Sequence, residues 1–356
     1  MNYIGSKLSL LKFLEDSIVQ VVDKDSKIFC DLFAGTGIVG SYFKKKGYSV
    51  ISNDIQYYSY VLNKQYIGNH QPLNFLGLIS EIPKLSKAEP AEKLDITCEY
   101  LSDLKGVEGF IYNNYCVGGT RGKEYERQYF SDENGQRCDA IRQQIEAWKN
   151  ESKINDDEYF FLLASLIESI DKYANTASVY GAFLKQLKKS AQKTLVLKPA
   201  LMILNDRDHQ VFNEDINTVI NSVEGDILYL DPPYNQRQYA TNYHLLETIA
   251  KYDNPQLYGK TGLRDYKKEK SLYCSRQNVK KAFQDLIKNA KSKYIFLSYN
   301  NEGLMTMEDI KEIMQTRGQY GFFTKEYARF KADKDVNRDF SANKTLEYLH
   351  YVSCEN

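Results

Sequence analysis

A glycine-rich turn between a buried strand and a helix constrains the fold of this chain most strongly. The segment KIFCDLF (27–33) is apolar and typical of a buried strand, and it runs directly into AGTG (34–37). The next segment, IVGSYFKKKG (38–47), has the pattern of a helix that ends at a glycine, and YSVISND (48–54) indicates a second strand. A strand, a helix and a strand in this order form the unit of a parallel sheet, so we predict an α/β fold.

The middle of the chain departs from this pattern. Residues 65–200 carry little strand signal, and they contain a glycine-rich polar stretch (105–137) followed by two predicted helices at 138–150 and 156–174. We therefore predict a mostly helical insertion over residues 65–200, with residues 1–64 and 201–356 forming one sheet domain around it.

Strand patterns return after residue 200. They occur in ALMILNDRDHQVFNED (200–215), DILYLDPPY (226–234) and KYIFLSYN (293–300). Two later segments, GFFTKEYARF (321–330) and LEYLHYVSC (346–354), are candidates for an antiparallel pair at one edge of the sheet.

The glycine turn has a functional interpretation as well as a structural one. Glycines let the backbone approach a ligand closely, and the helix that follows offers unpaired amides. Asp54 ends the next strand, 17 positions after Gly37, where an acid can accept hydrogen bonds from both hydroxyls of a ribose. The combination favours a ligand that contains adenosine over a purely structural turn. The spacing lacks the GxGxxG of a dinucleotide site.

The stretch LYLDPPY (228–234) is more specific. Asp231 and the Pro232 carbonyl can each accept one proton of an amino group, and the prolines hold both acceptors in position. Two acceptors draw a conjugated nitrogen toward sp³ geometry and release its lone pair, while Tyr234 can stack on the ring that carries the nitrogen. The alternative is a turn that ends a strand and carries an incidental acid.

Together, FAGTG, DPPY and the N-terminal NYIGSK resemble the DNA adenine-N6 methyltransferases of the alpha group, which include the DNA adenine methylases. The resemblance covers nearly the whole chain outside the insertion. It implies a Rossmann-like class I methyltransferase sheet with an antiparallel edge pair and an S-adenosyl-L-methionine site. Residues 1–64 and 201–356 would form the catalytic domain, and residues 65–200 the inserted DNA target recognition domain. TGLRDYKKEKSLYCSR (261–276) and LSYNNEGL (297–304) resemble the methyltransferases of type IIS restriction systems such as FokI.

The resemblance also implies roles for individual residues. Asp231, Pro232 and Tyr234 would be catalytic. The residues expected around the cofactor are Tyr3, Lys7, Asp31, Phe33, Gly35, Gly37, Asp54 and Asp215. For Asp215, the cap of a helix is an equally good interpretation.

DNA contacts are expected in two places. The target amino group lies inside a duplex, so the adenine must be flipped out and the phosphates must meet cations. Arg121, Lys123 and Arg127 lie in the glycine-rich stretch, and Arg237 and Tyr239 follow DPPY. For any one residue of the glycine-rich stretch, an ordinary surface charge is the simpler interpretation. For the segment after DPPY, the alternative is that it forms the start of a helix that packs on the sheet.

Composition excludes several other classes. The 47 basic and 47 acidic residues balance, so a polyanion site must be a local patch. Six cysteines without a CxxC pair and only four histidines argue against a zinc site, and we expect no metal. The first residues lack the pattern of a signal peptide and no apolar run reaches transmembrane length, so we expect a cytoplasmic protein without a membrane partner.

The expected activity is methyl transfer from S-adenosyl-L-methionine to N6 of adenine in double-stranded DNA, with base flipping. The enzyme would either belong to a restriction-modification system, with a cognate restriction endonuclease as a candidate partner, or be an orphan methylase. Alternatives are methylation of adenine in RNA, of the amino group of cytosine or of glutamine, and a DNA-binding subunit without catalysis. The intact set of acids and glycines counts against the inactive subunit.

Overall fold

A computed structural model describes residues 3–328 and 344–355. The strands, in chain order, are β1 (Ile28–Asp31), β2 (Ser49–Asn53), β3 (Gln210–Phe212), β4 (Glu224–Leu230), β5 (Leu257–Tyr258), β6 (Leu263–Arg264), β7 (Lys291–Asn300), β8 (Gly318–Ala328) and β9 (Lys344–Cys354). The α-helices are α1 (Leu11–Ile18), α2 (Ile38–Lys45), α3 (Tyr57–Asn63), α4 (Pro90–Ser102), α5 (Phe110–Tyr115), α6 (Val117–Thr120), α7 (Asp132–Asn150), α8 (Asp156–Tyr173), α9 (Ile216–Val219), α10 (Tyr239–Lys251), α11 (Val279–Asn289) and α12 (Met307–Met314).

The chain divides into two compact units. The sheet unit comprises Tyr3–Asn63, Arg207–Tyr239 and Lys268–Asn356, and the helical unit contains Lys64–Asp206 and Ala240–Lys267. The helical unit therefore includes residues 240–267, a segment that the sequence analysis grouped with 201–356. The assignment of residues 65–200 as a target recognition domain stays a prediction.

Seven strands of the described residues form the sheet, in the order β3-β2-β1-β4-β7-β9-β8. The strands β3, β2, β1, β4 and β7 pair in parallel, whereas β9 is antiparallel to both β7 and β8. The prediction of an α/β sheet with an antiparallel edge pair is therefore confirmed.

Both faces of the central strands β1 and β4 are buried, which explains why these strands are apolar at consecutive positions. Because side chains alternate along a strand, Phe29 and Tyr229 pack on the layer formed with α1 and α2. Their neighbours Cys30 and Leu228 pack on the opposite layer, formed with α9, α11 and α12. This arrangement holds the ends of β1 and β4 rigidly side by side.

Acidic residues follow three neighbouring parallel strands. Asp31 ends β1, Asp54 follows β2, and Asp231 follows β4. The carboxyl ends of parallel strands meet at one edge of a sheet, which is where open α/β sheets bind ligands. The fold therefore gathers the acids that the sequence analysis singled out.

The helical unit is built around α7 and α8. The side chain of Ser131 caps α7 by accepting from the Asn134 amide, and Asn155 and Glu158 form a capping box at the start of α8. Arg142 on α7 donates to the carbonyls of Ile249 and Ala250 near the end of α10, at 3.1 Å each. These bonds tie the second half of α10 to the helical unit.

Two other sequence predictions have specific outcomes. Of the strand predicted over 200–215, only Gln210–Phe212 is a strand. Residues 329 and 330 of the predicted edge strand lie outside the described residues. Among the helices that the structure describes, none is long and apolar enough to cross a membrane.

Candidate active site

A cavity in the sheet unit opens at the carboxyl ends of β1, β2 and β4. Seven of the residues predicted to bind the cofactor line this cavity: Tyr3, Lys7, Asp31, Phe33, Gly35, Asp54 and Asp215. Asp231 also lines the cavity. Gly37 lies just beyond, as the N-cap of α2. The structure thus brings together residues that are up to 228 positions apart in sequence, from Tyr3 to Asp231.

The glycine turn is shaped by its neighbours in the sheet unit. Gly35 and Gly37 have φ angles of +52° and +74°, a left-handed conformation that favours glycine. A Cβ on Gly35 would come within 3.1 Å of the Tyr3 ring, and one on Gly37 would lie 2.9 Å from Oδ1 of Asn63. Asn63 Nδ2 donates to the Gly35 carbonyl at 2.9 Å, so the turn is held from the α3 side.

Asp54 holds the same turn from the other side. Its Oδ2 accepts from the Gly35 amide at 2.8 Å, and its Oδ1 accepts from the Gln56 amide at 2.9 Å. Asp54 also lines the cavity, and each of its carboxylate oxygens has two acceptor sites. The geometry therefore suits the predicted role as a ribose acceptor.

The cavity is strongly acidic. Its charged lining consists of one basic residue, Lys7, and six acidic residues, Asp31, Asp54, Glu214, Asp215, Asp231 and Glu269. Asp31 is 1% exposed and its Oδ2 accepts from the Gly40 amide at 3.0 Å. The pKa of Asp31 is raised to about 8, mainly by burial; the Gly40 hydrogen bond lowers it, and the nearby carboxylates of Asp231 and Asp54 contribute to the rise. Such a lining favours a ligand with positive charge.

Asp215 caps a helix and also lines the cavity, so both interpretations of this residue are compatible with the structure. Its Oδ1 accepts from the Asn217 amide at 2.9 Å, which makes it the N-cap of α9. The same residue lines the cavity. The helix cap is therefore observed, and the contact with an adenine stays a prediction.

The DPPY turn carries a buried hydrogen-bond cluster. Tyr234 Oη donates to Asp231 Oδ1 at 2.6 Å, and Lys7 Nζ donates to Tyr234 Oη. Lys7 Nζ also lies 3.2 Å from Asp231 Oδ1 and 2.7 Å from Oε1 of Glu347. Pro232 is buried in the same turn. The carboxylate of Asp231 is thus oriented by a cation and a phenol on the same oxygen.

Glu347 was missed by the sequence analysis. It lies on β9, is fully buried, and its Oε2 has no hydrogen-bond partner among the described residues. The available signal was alternation, because Glu347 shares a strand face with the buried Leu349. An acid in phase with buried apolar residues indicates a paired or functional charge.

Burial makes Asp231 more basic than an ordinary aspartate. The pKa of Asp231 is raised to about 6, mainly by burial; the Lys7 charge opposes the rise and the Glu347 charge contributes to it. Burial also raises the pKa of Tyr234 well above its usual range, so the phenol keeps its proton. The ring of Tyr234 packs edge-on against Tyr299 at 5.2 Å between centroids.

The predicted DNA contacts fall into two groups. In the helical unit, Arg121 and Lys123 are exposed, whereas Arg127 is 8% exposed. The Arg127 guanidinium donates to the carbonyls of Asn114, Gly259 and Lys260 at 2.9–3.1 Å. A contact between Arg127 and DNA would have to compete with these three bonds, so we assign Arg127 a structural role.

The other group follows the DPPY turn in the sheet unit. Arg237 is exposed. Tyr239 is half-buried and lines the cavity, with its ring centroid 5.9 Å from that of Tyr3. Tyr239 is thus surrounded by the residues predicted to bind the cofactor and does not lie on an open surface.

Comparison with known proteins agrees with this geometry. The family model for D12 class N6 adenine-specific DNA methyltransferases matches residues 3–313. The chain belongs to this family. Among the curated relatives, the Type II methyltransferase M.NlaIII of Neisseria lactamica is 53% identical over 354 residues, which cover 99% of each chain. M.FokI of Planomicrobium okeanokoites is 42% identical over 357 residues, which cover 99% of this chain and 52% of that protein.

A viral relative shows a similar span. M.CviAII of Paramecium bursaria Chlorella virus 1, also a Type II methyltransferase, is 35% identical over 361 residues, which cover 100% of this chain and 99% of that protein. The chain thus spans nearly all of M.NlaIII and M.CviAII but about half of M.FokI. As a D12 class methyltransferase, it acts on N6 of adenine in DNA. Glu347 lies beyond the range that the family model matches.

Proposed function

We propose that this chain is a site-specific methyltransferase that uses S-adenosyl-L-methionine to methylate N6 of an adenine flipped out of duplex DNA. The observation that carries the proposal is the position of Asp231. Its carboxylate lies at the edge of the acidic cavity that contains the glycine turn and Asp54. An acceptor for an amino group and a site for an adenosine-containing cation therefore adjoin each other.

The lining of the cavity suits the cofactor in charge and in hydrogen-bond acceptors. S-adenosyl-L-methionine would supply a methyl group on a positively charged sulfur. The acid-rich lining is complementary to its sulfonium and ammonium charges. Asp54 lines the cavity and would accept from the ribose hydroxyls, and the left-handed turn at Gly35 permits close approach of the backbone. Asp215 lies where it could accept from the amino group of the cofactor's adenine.

The DPPY turn binds and orients the target amino group. The Asp231 contacts to Lys7 and Tyr234 both use Oδ1, and Oδ2 makes no hydrogen bond within the part of the chain that the structure describes. Oδ2 would accept one amino proton and the Pro232 carbonyl the other. The ring of Tyr234 would stack on the base. Catalysis then consists of positioning and electrostatics, without a covalent enzyme intermediate.

The released proton has an acceptor in the same place. Methylation leaves a positive charge on the amino nitrogen, and the loss of one proton restores neutrality. Asp231, with a pKa raised to about 6 by burial, is basic enough to take this proton and pass it to solvent. This assignment requires no histidine and no metal ion.

Recognition of DNA belongs to the helical unit in this proposal. Residues 65–200 would form the target recognition domain, with the exposed Arg121 and Lys123 as DNA contacts. Arg237, exposed after the DPPY turn, would contact DNA next to the flipped base. Residues 1–64 and 201–356 would form the catalytic domain.

The relatives support a role in restriction-modification. M.NlaIII, M.FokI and M.CviAII are named as Type II methyltransferases, and we propose the same class for this chain. A cognate restriction endonuclease is the expected partner.

Analysis of methylated nucleosides tests the reaction directly. The purified chain, S-adenosyl-L-methionine and DNA from a methylation-deficient host are incubated together, and the nucleosides are identified by mass spectrometry. We expect N6-methyldeoxyadenosine, with no N4-methyldeoxycytidine. Methylation of RNA in a parallel incubation, with DNA unmodified, would contradict the proposal.

A further inference from the structure

Glu347 combines two features that rarely occur together. Its side chain is fully buried, and its Oε2 finds no hydrogen-bond partner among the described residues. A buried carboxylate oxygen without a partner costs stability, so its presence points to a role other than stability. The other oxygen, Oε1, accepts from Lys7 Nζ at 2.7 Å and lies 3.1 Å from Tyr234 Oη.

Lys7 lies between two carboxylates. Its Nζ is 2.7 Å from Glu347 Oε1 but 3.2 Å from Asp231 Oδ1. The cation is therefore nearer to Glu347 than to the DPPY acid. One ammonium shared by two carboxylates leaves one negative charge uncompensated within the cluster. In a buried site, that excess increases the affinity of the remaining carboxylate for a proton.

We propose that Glu347 is a positioning residue for methyl transfer, which acts by drawing Lys7 away from Asp231 and so keeps the Asp231 carboxylate basic. The inference rests on the proposed function of Asp231 as the acceptor for the target amino group. Glu347 touches neither the cavity nor the substrate in this account. It acts through Lys7 and through the hydroxyl of Tyr234.

The groups that face Asp231 come from five parts of the sheet unit. They are Lys7 from the segment before α1, Asp31 from β1, Tyr229 from β4, Tyr234 from the DPPY turn and Glu347 from β9. Lys7 is the only cation among them, and Asp31 with its raised pKa is largely neutral at pH 7. Glu347 is thus the principal negative charge that offsets Lys7.

Removal of the Glu347 charge has a definite consequence. Asp231 would then be the carboxylate of the cluster that pairs with Lys7, and this pairing would lower the pKa of Asp231 and make it a weaker acceptor. Glu347→Gln keeps the shape of the side chain and removes the charge, whereas Glu347→Asp keeps the charge. Glu326→Gln on the neighbouring strand β8 is the matched control, because Glu326 is exposed.

The experiment is the pH dependence of kcat for methyl transfer to duplex DNA, with full-length wild type and the three variants. In Glu347→Gln we expect the acid limb to move to lower pH by on the order of one unit, because the general base is less basic. We also expect the plateau rate to fall about tenfold. Glu347→Asp and Glu326→Gln should keep the wild-type acid limb. A reduced rate in Glu347→Gln with an unmoved acid limb would mean a merely structural role and would overturn the proposal.

A second measurement does not depend on turnover. The carboxyl carbons of aspartate are labelled with ¹³C in the wild-type protein, and the Asp231 signal is identified by its loss in Asp231→Asn. We expect Asp231 to titrate well above the ordinary value of about 4. A midpoint at or below that value would overturn the inference. The titration is repeated in Glu347→Gln, where we expect the Asp231 midpoint to fall by on the order of one unit; an unchanged midpoint would overturn the inference. If wild type transfers no methyl group although the midpoint moves as expected, the proposed function fails and the effect of Glu347 stands.

Discussion

The backbone amide of Gly35 donates a hydrogen bond to Oδ2 of Asp54, with 2.8 Å between the two atoms. This bond links the glycine turn after β1 to the end of β2. Asp54 therefore supports the shape of the turn and also presents acceptors to a ligand. The two roles can be separated by substitution.

We expect Asp54→Ala to weaken the binding of S-adenosyl-L-methionine about ten- to a hundredfold. The variant loses charge-assisted hydrogen bonds to the ribose, each worth about 1.5–3 kcal/mol. Asp54→Asn should lose less of the affinity for S-adenosyl-L-methionine, because the side-chain amide oxygen can still accept from the Gly35 amide. Isothermal calorimetry measures both, with the exposed Asp25→Ala as the control. An unchanged dissociation constant in Asp54→Ala would refute the ribose assignment.

The buried Asp31 predicts an unusual pH dependence of stability. Its pKa is raised to about 8 in the folded protein, against an ordinary value of 3.8. Between these values the folded state holds a proton that the unfolded state has lost, so stability should fall as pH rises from 4 to 8. Asp31→Asn should remove this contribution, which is at most about 1.4 kcal/mol per pH unit.

Melting temperatures of the ligand-free protein at several pH values test the Asp31 prediction. Wild type should lose stability more steeply than Asp31→Asn across pH 5 to 8, and the control Asp25→Asn should behave like wild type. Parallel curves for wild type and Asp31→Asn would show that Asp31 is ionised in the folded state.

Arg127 is predicted to act on stability. Its guanidinium satisfies three backbone carbonyls within the helical unit, and a lysine ammonium cannot reproduce this fork. Arg127→Lys should lower the free energy of unfolding by about 2–4 kcal/mol. Urea denaturation measures the loss, with the exposed Arg121→Lys as the matched control. Unchanged stability together with weakened DNA binding would show that Arg127 contacts DNA and does not act on stability.

The hydroxyl and the ring of Tyr234 should have separable effects. Tyr234→Phe keeps the ring but removes the donor to Asp231 and the acceptor for Lys7. We expect methyl transfer to slow about tenfold, with DNA affinity unchanged. Tyr234→Ala should slow the reaction much further, because base stacking is worth about 1–3 kcal/mol. Equal rates for the two variants would show that the ring does not stack on the base.

Local patterns predicted the sheet and its ligand-binding edge well. The strand, glycine turn, helix and strand over residues 27–54 all form, since consecutive apolar residues suit a sheet that is buried on both faces. The acids that follow β1, β2 and β4 meet because parallel strands end at the same edge. These relations are properties of short segments and need no knowledge of distant contacts.

Contacts between distant segments explain what the sequence did not reveal. Glu347 meets Lys7 across 340 residues, and neither side chain alone indicates the other. Arg127 resembles a DNA-contacting residue until its carbonyl partners at positions 259 and 260 are known. The second half of α10 belongs to the helical unit and is held there by Arg142. The sequence does not indicate this, because α10 begins only a few residues after DPPY and was grouped with the sheet domain.

The central claim is that Asp231 directs methylation of adenine in DNA. The most direct measurement is long-read sequencing of genomic DNA from a methylation-deficient bacterial host that expresses this protein or its Asp231→Ala variant. We predict N6-methyladenine in one short recurring motif with wild type, and no such signal with Asp231→Ala, which should still bind S-adenosyl-L-methionine. Methylation retained in Asp231→Ala, or no methyladenine from folded wild-type protein that binds the cofactor, would contradict the account.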